Sequence, residues 1–473
     1  MIIVGALALA DCAQNPVTGD KNFVLMSEQQ EIQMGAQSHK DVLKEYAALE
    51  NPALQAYVNE VGQRLAKQSQ RPGLQWRFTV VDSADVNAFA LPGGYVYITR
   101  GLMAYLNSEA QLAAVIGHEI GHVTARHGAR QQSATTSVGL GTMLGSVLVP
   151  GMDNQAGATQ LQSLAQAWTA GYGRDQELES DRLAAEYLAK SGYDPKAMIE
   201  VISVLKDQAL FAAEQAKRDG RQPRTYHGTF DAYPGNDARL QQLVGEASQY
   251  RVANPREGRN DYLQHLAGVY FGDSPDQGLI RNNELLHEKL GLAVQFPPGW
   301  TMQNRPDRVM ATSAQGDALV ELQQGPKSDN PLATLQKGVK LDDGARYDSG
   351  TLSGFPAAFA AGSQQGRPVV VAVVVLNGTQ YLIAGMTKDK STYDRERSTL
   401  RAAINSFHAI TPAERKAARP LTLRLVTAKP GMTMVSLAQQ SPLGAEAESQ
   451  LRLMNDLYPS GEPKPAQLIK IVQ

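Results

Sequence analysis

Between residues 54 and 65, apolar side chains recur every three or four positions with polar residues between them. This spacing predicts one amphipathic helix with a single buried face. Residues 76–81, 86–90 and 95–99 are short apolar runs, and a Leu-Pro-Gly-Gly turn separates the last two. These runs predict three strands that follow the helix in the chain.

Two longer helices are predicted further on. The first begins near Ser108, which has capping-box spacing to Gln111, and it continues to about residue 127. The second covers about residues 174–190 and ends before Gly192, since glycine commonly terminates helices. This part of the chain is therefore expected to be mainly helical with a small sheet.

After about residue 290 the pattern changes to short strand-like runs separated by Gly and Pro, followed by one helical pattern. The predicted strands are residues 292–296, 318–322, 369–376 and 381–384, and the predicted helix is 393–407. Residues 421–473 have strand-like ends and a helical middle. This tail loosely resembles a LysM-like glycan-binding module, and a small unrelated βααβ cap is the alternative.

Together these patterns predict an α+β multidomain protein. The predicted parts are a signal-peptide and lipobox remnant at 1–12, a mainly helical domain with a small β-sheet at 13–250, a linker at 251–285, an α+β domain of unknown role at 286–410 and a LysM-like βααβ tail at 420–473.

Composition limits the chemistry that this chain can carry. Of its 473 residues, 42% are apolar, and 45 basic residues nearly balance 47 acidic ones. No basic run predicts a nucleic-acid surface. The single cysteine, Cys12, cannot form an internal disulfide or a cysteine-based zinc finger. Any metal site must therefore use His, Asp or Glu.

Cys12 follows a short apolar run at residues 1–10, which is typical of the end of a signal peptide with a lipobox. The pattern predicts a lipidated cysteine, membrane contact through its lipid and a periplasmic protein anchored to the outer membrane. An apolar N-terminus with an incidental cysteine is the alternative. The sequence has no uninterrupted run of about 20 apolar residues, so no transmembrane helix is predicted.

The first predicted long helix contains an HExxH motif at residues 118–122. His118 and His122 are four residues apart, so both lie on one helix face and can reach one ion. Glu119 is adjacent and is the candidate catalytic base. This motif predicts one Zn²⁺ per chain and a metallopeptidase.

A third protein ligand is required for a catalytic zinc site. A histidine six residues after the second would supply it, but that residue is Gly128, and His127 is interpreted as a surface or outer-shell residue. A later helix offers Glu177, with Glu179 as the alternative. Both could instead be solvated acids paired with a nearby arginine.

Asp181 is four residues after Glu177 and therefore shares its helix face. From there its carboxylate can accept a hydrogen bond from a ligand histidine and thereby determine its tautomer. We therefore expect Glu177 to bind the metal and Asp181 to orient one of its ligands.

The chain from residue 15 to about 243 resembles the BepA- and LoiP-like periplasmic zinc metallopeptidases, gluzincins related to HtpX and the CAAX prenyl proteases. The motifs that carry the resemblance lie at residues 15–19, 87–94, 118–122 and 177–181. It implies a zinc endopeptidase that hydrolyses misfolded or unfolded envelope proteins, hence a role in protein quality control.

Where the family tends to have His-Pro before a later arginine, this chain has Tyr233, Pro234 and Arg239. The resemblance makes Tyr233 and Arg239, together with His227, candidate hydrogen-bond donors to the oxyanion that forms when water attacks the peptide carbonyl. Tyr233 could instead be a zinc latch or a packing residue. Two other interpretations of the chain stay open: a chaperone-like envelope protein with a latched site, and a glycan-binding protein with a structural zinc, whose tail contacts peptidoglycan.

Overall fold

The computed structural model describes residues 16–17, 26–130, 172–218 and 236–473, and in the last range it describes side chains from residue 242 onward. Four candidate functional residues lie outside what is described. These are Cys12, His227, Tyr233 and the side chain of Arg239. No helix in the described ranges has the length and apolar character that crossing a membrane requires.

The chain forms two compact units. Unit 1 comprises the described parts of Met1–Leu43, Ala48–Val269 and Thr422–Gln473, and unit 2 comprises Lys44–Ala47 and Tyr270–Leu421. The tail, predicted as a module of its own, thus packs with the N-terminal region. The general prediction of a multidomain α+β protein is confirmed.

Among the described residues up to 266 the chain is mainly helical, as predicted. Its elements are α1 (Glu28–Glu45), α2 (Pro52–Ala66), β1 (Arg77–Val81), β2 (Ala88–Leu91), β3 (Tyr95–Thr99), α3 (Arg100–Tyr105), α4 (Glu109–Thr124), α5 (Arg174–Lys190), α6 (Ala197–Arg218), α7 (Asn236–Ser248) and α8 (Arg259–Leu266). The sheet has the order β1-β3-β2, with β1 parallel and β2 antiparallel to β3.

Local sequence determines how α4 begins and tertiary contacts determine how it ends. The Ser108 hydroxyl accepts a hydrogen bond from the backbone N–H of Gln111 at 3.1 Å, as the capping pattern predicts. At the other end, the buried carboxylate of Glu31 accepts from Arg71 at 2.9 Å and from Arg126 at 2.7 Å. Arg71 also donates to the Val123 carbonyl at 2.9 Å. This helix is therefore held at both ends.

Helices α4 and α5 approach each other closely because α4 presents glycine there. A Cβ atom added to Gly121 would lie 3.0 Å from the Cα and O of Ser180, and one added to Gly117 would lie 3.5 Å from Ala184. The absence of a side chain lets the two backbones come together. The packing places the first half of α5 beside the HExxH motif.

Unit 2 consists mainly of antiparallel strands. The elements of this unit are β4 (Tyr270–Phe271), β5 (Leu279–Arg281), β6 (Glu284–His287), β7 (Leu292–Gln295), β8 (Thr301–Asn304), β9 (Arg308–Thr312), β10 (Ala318–Lys327), α9 (Pro331–Gly338), β11 (Arg346–Leu352), β12 (Phe355–Gln364), β13 (Arg367–Leu376), β14 (Thr379–Thr387), α10 (Lys390–Asn405), β15 (His408–Ala409) and α11 (Pro412–Ala417). Its main sheet has seven antiparallel strands in the order β11-β12-β13-β14-β10-β9-β8. A second sheet has the order β15-β7-β6-β5.

The interior strand β13 is apolar from Val369 to Leu376 because both of its faces are covered. Val370, Ala372 and Val374 belong to one core cluster, which also contains Leu400 of α10. The alternate residues of the strand belong to a second cluster, which contains Leu335 of α9. Side chains of a strand alternate between faces, so the two helices cover opposite sides of the sheet.

The tail consists of β16 (Leu421–Thr427), α12 (Met434–Ala438), α13 (Ala447–Met454) and β17 (Leu468–Val472), with β16 and β17 antiparallel. This is the predicted β-α-α-β order, and the likeness to LysM modules stays a prediction. The predicted linker at residues 251–285 contains the helix α8 and the short strands β4 and β5.

Candidate metal centre

Two helices bring three metal-binding side chains together. His118 and His122 lie one turn apart on α4, and their Nε2 atoms are 3.0 Å apart. Glu177 on α5 places one carboxylate oxygen 3.4 Å from His118 Nε2 and the other 3.6 Å from His122 Nε2. The three donor atoms lie within 4.8 Å of one another, and all three residues are buried.

This donor set fits a zinc ion. Two imidazole nitrogens and one carboxylate are the protein ligands of one group of catalytic zinc sites. The surroundings also favour positive charge at this point. Burial lowers the pKa of His118, but hydrogen bonds to Asp181 and Glu177 outweigh it and raise the pKa to about 9. A cation attracted here would meet three convergent donors.

Asp181 lies where the spacing on α5 predicts. Its Oδ1 is 2.8 Å from Nδ1 of His118, so the carboxylate accepts the Nδ1–H of that imidazole. In the neutral imidazole that a metal requires, the other nitrogen, Nε2, is then the one without a proton, and it faces His122 and Glu177. Such a carboxylate partner determines both the tautomer and the ring orientation of a ligand histidine.

Glu119 is fully buried on α4 between the two histidines. Its carboxylate is close enough to Tyr172 to affect that phenol. Burial raises the pKa of Tyr172 most, and the carboxylates of Glu119 and Glu177 raise it further. The candidate base and the three candidate ligands are therefore all buried.

Tyr172 is a residue of this site that sequence reasoning missed. Its ring stacks on that of His122, with centroids 4.1 Å apart and planes inclined by 18°. A tyrosine between two glycines, outside any predicted element, carries no sequence signal for this contact. The stacking covers one face of a candidate ligand.

Glu179, the alternative third ligand, points elsewhere. Its Oε2 accepts from His127 Nε2 at 3.0 Å and from Arg130 at 2.9 Å. Burial raises the pKa of Glu179, but the hydrogen bonds from His127 and Arg130 outweigh it and lower the pKa to about 2. The interpretation of Glu177 as a solvated acid is wrong, because that residue is fully buried between the two helices.

His127 is also buried, so the surface interpretation is wrong, whereas the outer-shell interpretation agrees with its contacts. Its Nδ1 lies 2.8 Å from Nδ1 of His122. A turn at Arg126, which has a left-handed φ of 57°, separates His127 from the end of α4. This turn brings the His127 ring back against His122.

A second group of possible ligands lies in unit 2 and has a simpler explanation. Glu284, His408 and Glu414 also have donor atoms within 4.8 Å of one another. Glu414 accepts from the backbone N–H of Thr411 at 2.7 Å in a capping box at the start of α11, and it pairs with His408 at 2.9 Å. Helix capping and an ion pair account for the group.

Comparison with known proteins agrees with the geometry in unit 1. Residues 52–247 match peptidase family M48. This region is therefore a metallopeptidase domain of the endopeptidase class, and the predicted resemblance is confirmed.

The domain is an M48 peptidase domain similar to those of the beta-barrel assembly-enhancing proteases. The Yersinia pestis protein of that name is 30% identical over 301 residues, which are 59% of this chain and 59% of the relative. The Escherichia coli K12 protein is 33% identical over 216 residues, or 44% of each chain. The mitochondrial metalloendopeptidase OMA1 of Arabidopsis thaliana is 32% identical over 154 residues, covering 32% of this chain and 30% of OMA1. The chain thus spans about half the length of the beta-barrel assembly-enhancing proteases that it matches.

Proposed function

We propose that this protein is a zinc-dependent endopeptidase of the bacterial cell envelope. The observation that carries the proposal is the convergence of His118, His122 and Glu177, with Glu119 buried beside them. Two histidines and a carboxylate leave a position for water or substrate on a four-coordinate zinc. When bound, zinc supplies the Lewis acidity that polarises a scissile carbonyl and lowers the pKa of water.

The residues of the chain supply the rest of the chemistry. Glu119 takes a proton from the attacking water and delivers it to the leaving amine, as a positioned general base and acid. Asp181 holds His118 so that its Nε2 faces the donor set. Tyr233 and Arg239 stay candidate donors to the oxyanion, whose negative charge needs a hydrogen-bond donor at that point.

Metal analysis of purified variants tests the ligands. The wild-type protein should contain about one zinc per chain, and His118→Ala should lose most of it, since one of three protein ligands is removed. Equal zinc content in both proteins would exclude this ligand set.

Cleavage of an unfolded test protein separates a peptidase from a structural zinc site. Glu119→Gln is the matched variant, because it removes the base and retains the ligands. It should keep its zinc and lose cleavage by about 100- to 10,000-fold. Undiminished cleavage by Glu119→Gln would show that Glu119 is not the catalytic base. If the wild type cleaved nothing, the structural-zinc or chaperone-like alternatives would be favoured.

The envelope role and the substrates are proposed from the relatives and from the sequence around Cys12. The relatives named for enhancing beta-barrel assembly support an envelope setting, and the region around Cys12 supports an outer-membrane lipoprotein that faces the periplasm. Misfolded or unfolded envelope proteins are the proposed substrates. Comparative proteomics of envelopes with wild-type and Glu119→Gln protein should reveal substrates that accumulate only with the variant.

Two further contacts belong to the same proposal. Lipidation of Cys12 would anchor the protein, and Cys12→Ser should then release it from the membrane fraction.

The LysM-like order of the tail supports contact with peptidoglycan. A pull-down of the full chain with peptidoglycan tests this, and failure to bind would remove the glycan partner while leaving the peptidase proposal intact.

A further inference from the structure

The two candidate ligand histidines are held in different ways. In each, one ring nitrogen faces the donor set and the other contacts a neighbouring side chain. His118 Nδ1 contacts the carboxylate of Asp181 directly. His122 Nδ1 contacts another imidazole, that of His127, at 2.8 Å. An imidazole can either donate or accept there, so its own partners decide the outcome.

His127 has a second partner on its other nitrogen. Its Nε2 lies 3.0 Å from Oε2 of Glu179, and the same oxygen accepts from Arg130 at 2.9 Å. A carboxylate that is paired with a guanidinium is an acceptor. His127 Nε2 must therefore carry the proton and donate it to Glu179.

The proton on His127 Nε2 then determines which way the hydrogen bond between His127 and His122 runs. A neutral imidazole carries one N–H, so with its proton on Nε2, His127 presents a bare Nδ1 to His122. His122 must donate from its own Nδ1, which leaves its Nε2 without a proton. That nitrogen is the one that lies 3.0 Å from His118 Nε2 and faces Glu177.

We propose that His127 is a positioning residue that holds His122 in its metal-binding tautomer and orientation, with Glu179 and Arg130 anchoring His127 in turn. The inference rests on the proposed zinc site. It extends that site from the HExxH helix to residues of the following turn and of α5. Partners of this kind are usually worth about 10- to 100-fold in metal affinity.

The test measures zinc affinity by competition with a chelator, using purified full-length protein. His127→Phe keeps a ring of similar size and removes the acceptor, so its affinity should fall by about 10- to 100-fold. His127→Asn keeps an acceptor close to the position of Nδ1 and should recover part of the loss. The absorption spectrum of the Co²⁺-loaded protein should also change in His127→Phe. If His127 only supported the fold, the metal coordination and therefore this spectrum would stay the same.

His265→Phe is the matched control, because His265 stacks on Tyr57 in the same unit with ring centroids 4.0 Å apart. It should bind zinc as the wild type does. If the wild type binds zinc tightly and His127→Phe binds it equally well, the positioning role is overturned while the zinc site stands. If the wild type binds no zinc, the proposed function itself fails.

A measurement on the wild type keeps the inference testable if His127→Phe does not fold. Protein labelled with ¹⁵N at histidine and loaded with zinc shows by NMR which His127 nitrogen carries the proton. The inference requires a protonated Nε2 and a bare Nδ1. A proton on Nδ1 would overturn it, since His127 could not then accept from His122.

Discussion

Glu109 in unit 1 and His287 in unit 2 are both buried and ionisable, but their surroundings differ. In unit 1 the buried carboxylate of Glu109 accepts from Tyr57, Tyr193 and Arg64. Such partners offset the cost of burying charge. His287 in unit 2 is 8% exposed, and burial is the main cause that lowers its pKa to about 4. Burial therefore favours the neutral form of the His287 imidazole.

The lowered pKa of His287 predicts that this residue reduces the stability of unit 2 in mild acid. The pKa of His287 is about 4 in the folded chain, against about 6.5 when unfolded. Above pH 6.5 neither state binds the proton. As pH falls from 6.5 toward 4 only the unfolded state does, so the free energy of unfolding decreases, by about 3 kcal/mol at most.

Urea unfolding of the full-length protein between pH 7 and pH 4 measures this effect. His287→Leu removes the group that titrates, so the variant should lose less stability over this range than the wild type. The difference between the two proteins should develop below pH 6.5 and level off near pH 4. Identical pH profiles would contradict the burial argument.

At the scale of elements, the candidate site depends on how closely α4 and α5 pack. Both helices contribute donors, so their separation determines the distances between His122 and Glu177. Gly121 lies next to His122 and faces the backbone of Ser180 at the tightest point. Since the neighbouring atoms are backbone, an added methyl group must push the helices apart by a few tenths of an ångström.

Gly121→Ala should therefore weaken both zinc binding and thermal stability. Gly117→Ala is the matched control one turn away, where the added Cβ would make only an ordinary contact at 3.5 Å with Ala184. At that position the free energy of unfolding should rise by about 0.5–1 kcal/mol, because alanine is favoured over glycine inside a helix and the added methyl group meets no close contact. Zinc competition and thermal unfolding compare the two variants, and equal behaviour would show that helix separation does not control the site.

At the scale of the whole chain, the tail is part of unit 1. Lys470 on β17 is fully buried, and its Nζ donates to the carbonyls of Ala104 at 2.8 Å and Leu106 at 2.6 Å. Tyr105 donates to Gln450 of α13 at 2.9 Å. These contacts lie around the end of α3, just before the HExxH helix. The tail therefore supports the region that leads into the candidate site.

Lys470→Ala should lower the free energy of unfolding of unit 1 by roughly 1–3 kcal/mol, because two buried carbonyls lose their donor. Lys464→Ala is the control, since Lys464 is exposed in the same tail and such substitutions usually change stability by less than about 0.5 kcal/mol. Chemical unfolding followed by a probe in unit 1 makes the comparison. A tail that is a separate module would leave both variants equal to the wild type.

Much of the fold was predictable because it depends on short-range periodicity. The predicted bounds of α5, Arg174–Lys190, agree with the structure, and so do the capped start of α4 and the strand at Tyr95–Thr99. The edge strand Arg346–Leu352 was missed. Most of its residues are exposed and polar, so it lacks the apolar alternation that reveals a strand with one buried face.

The sequence by itself determined the HExxH helix and the pairing of Glu177 with Asp181 on one face, because helical geometry relates residues four positions apart. Only the tertiary structure decided that Glu177, and not Glu179, meets His118 and His122. The same is true of Tyr172, His127 and the docking of the tail through Lys470. These contacts join residues of different elements and depend on how those elements pack, which local periodicity does not encode.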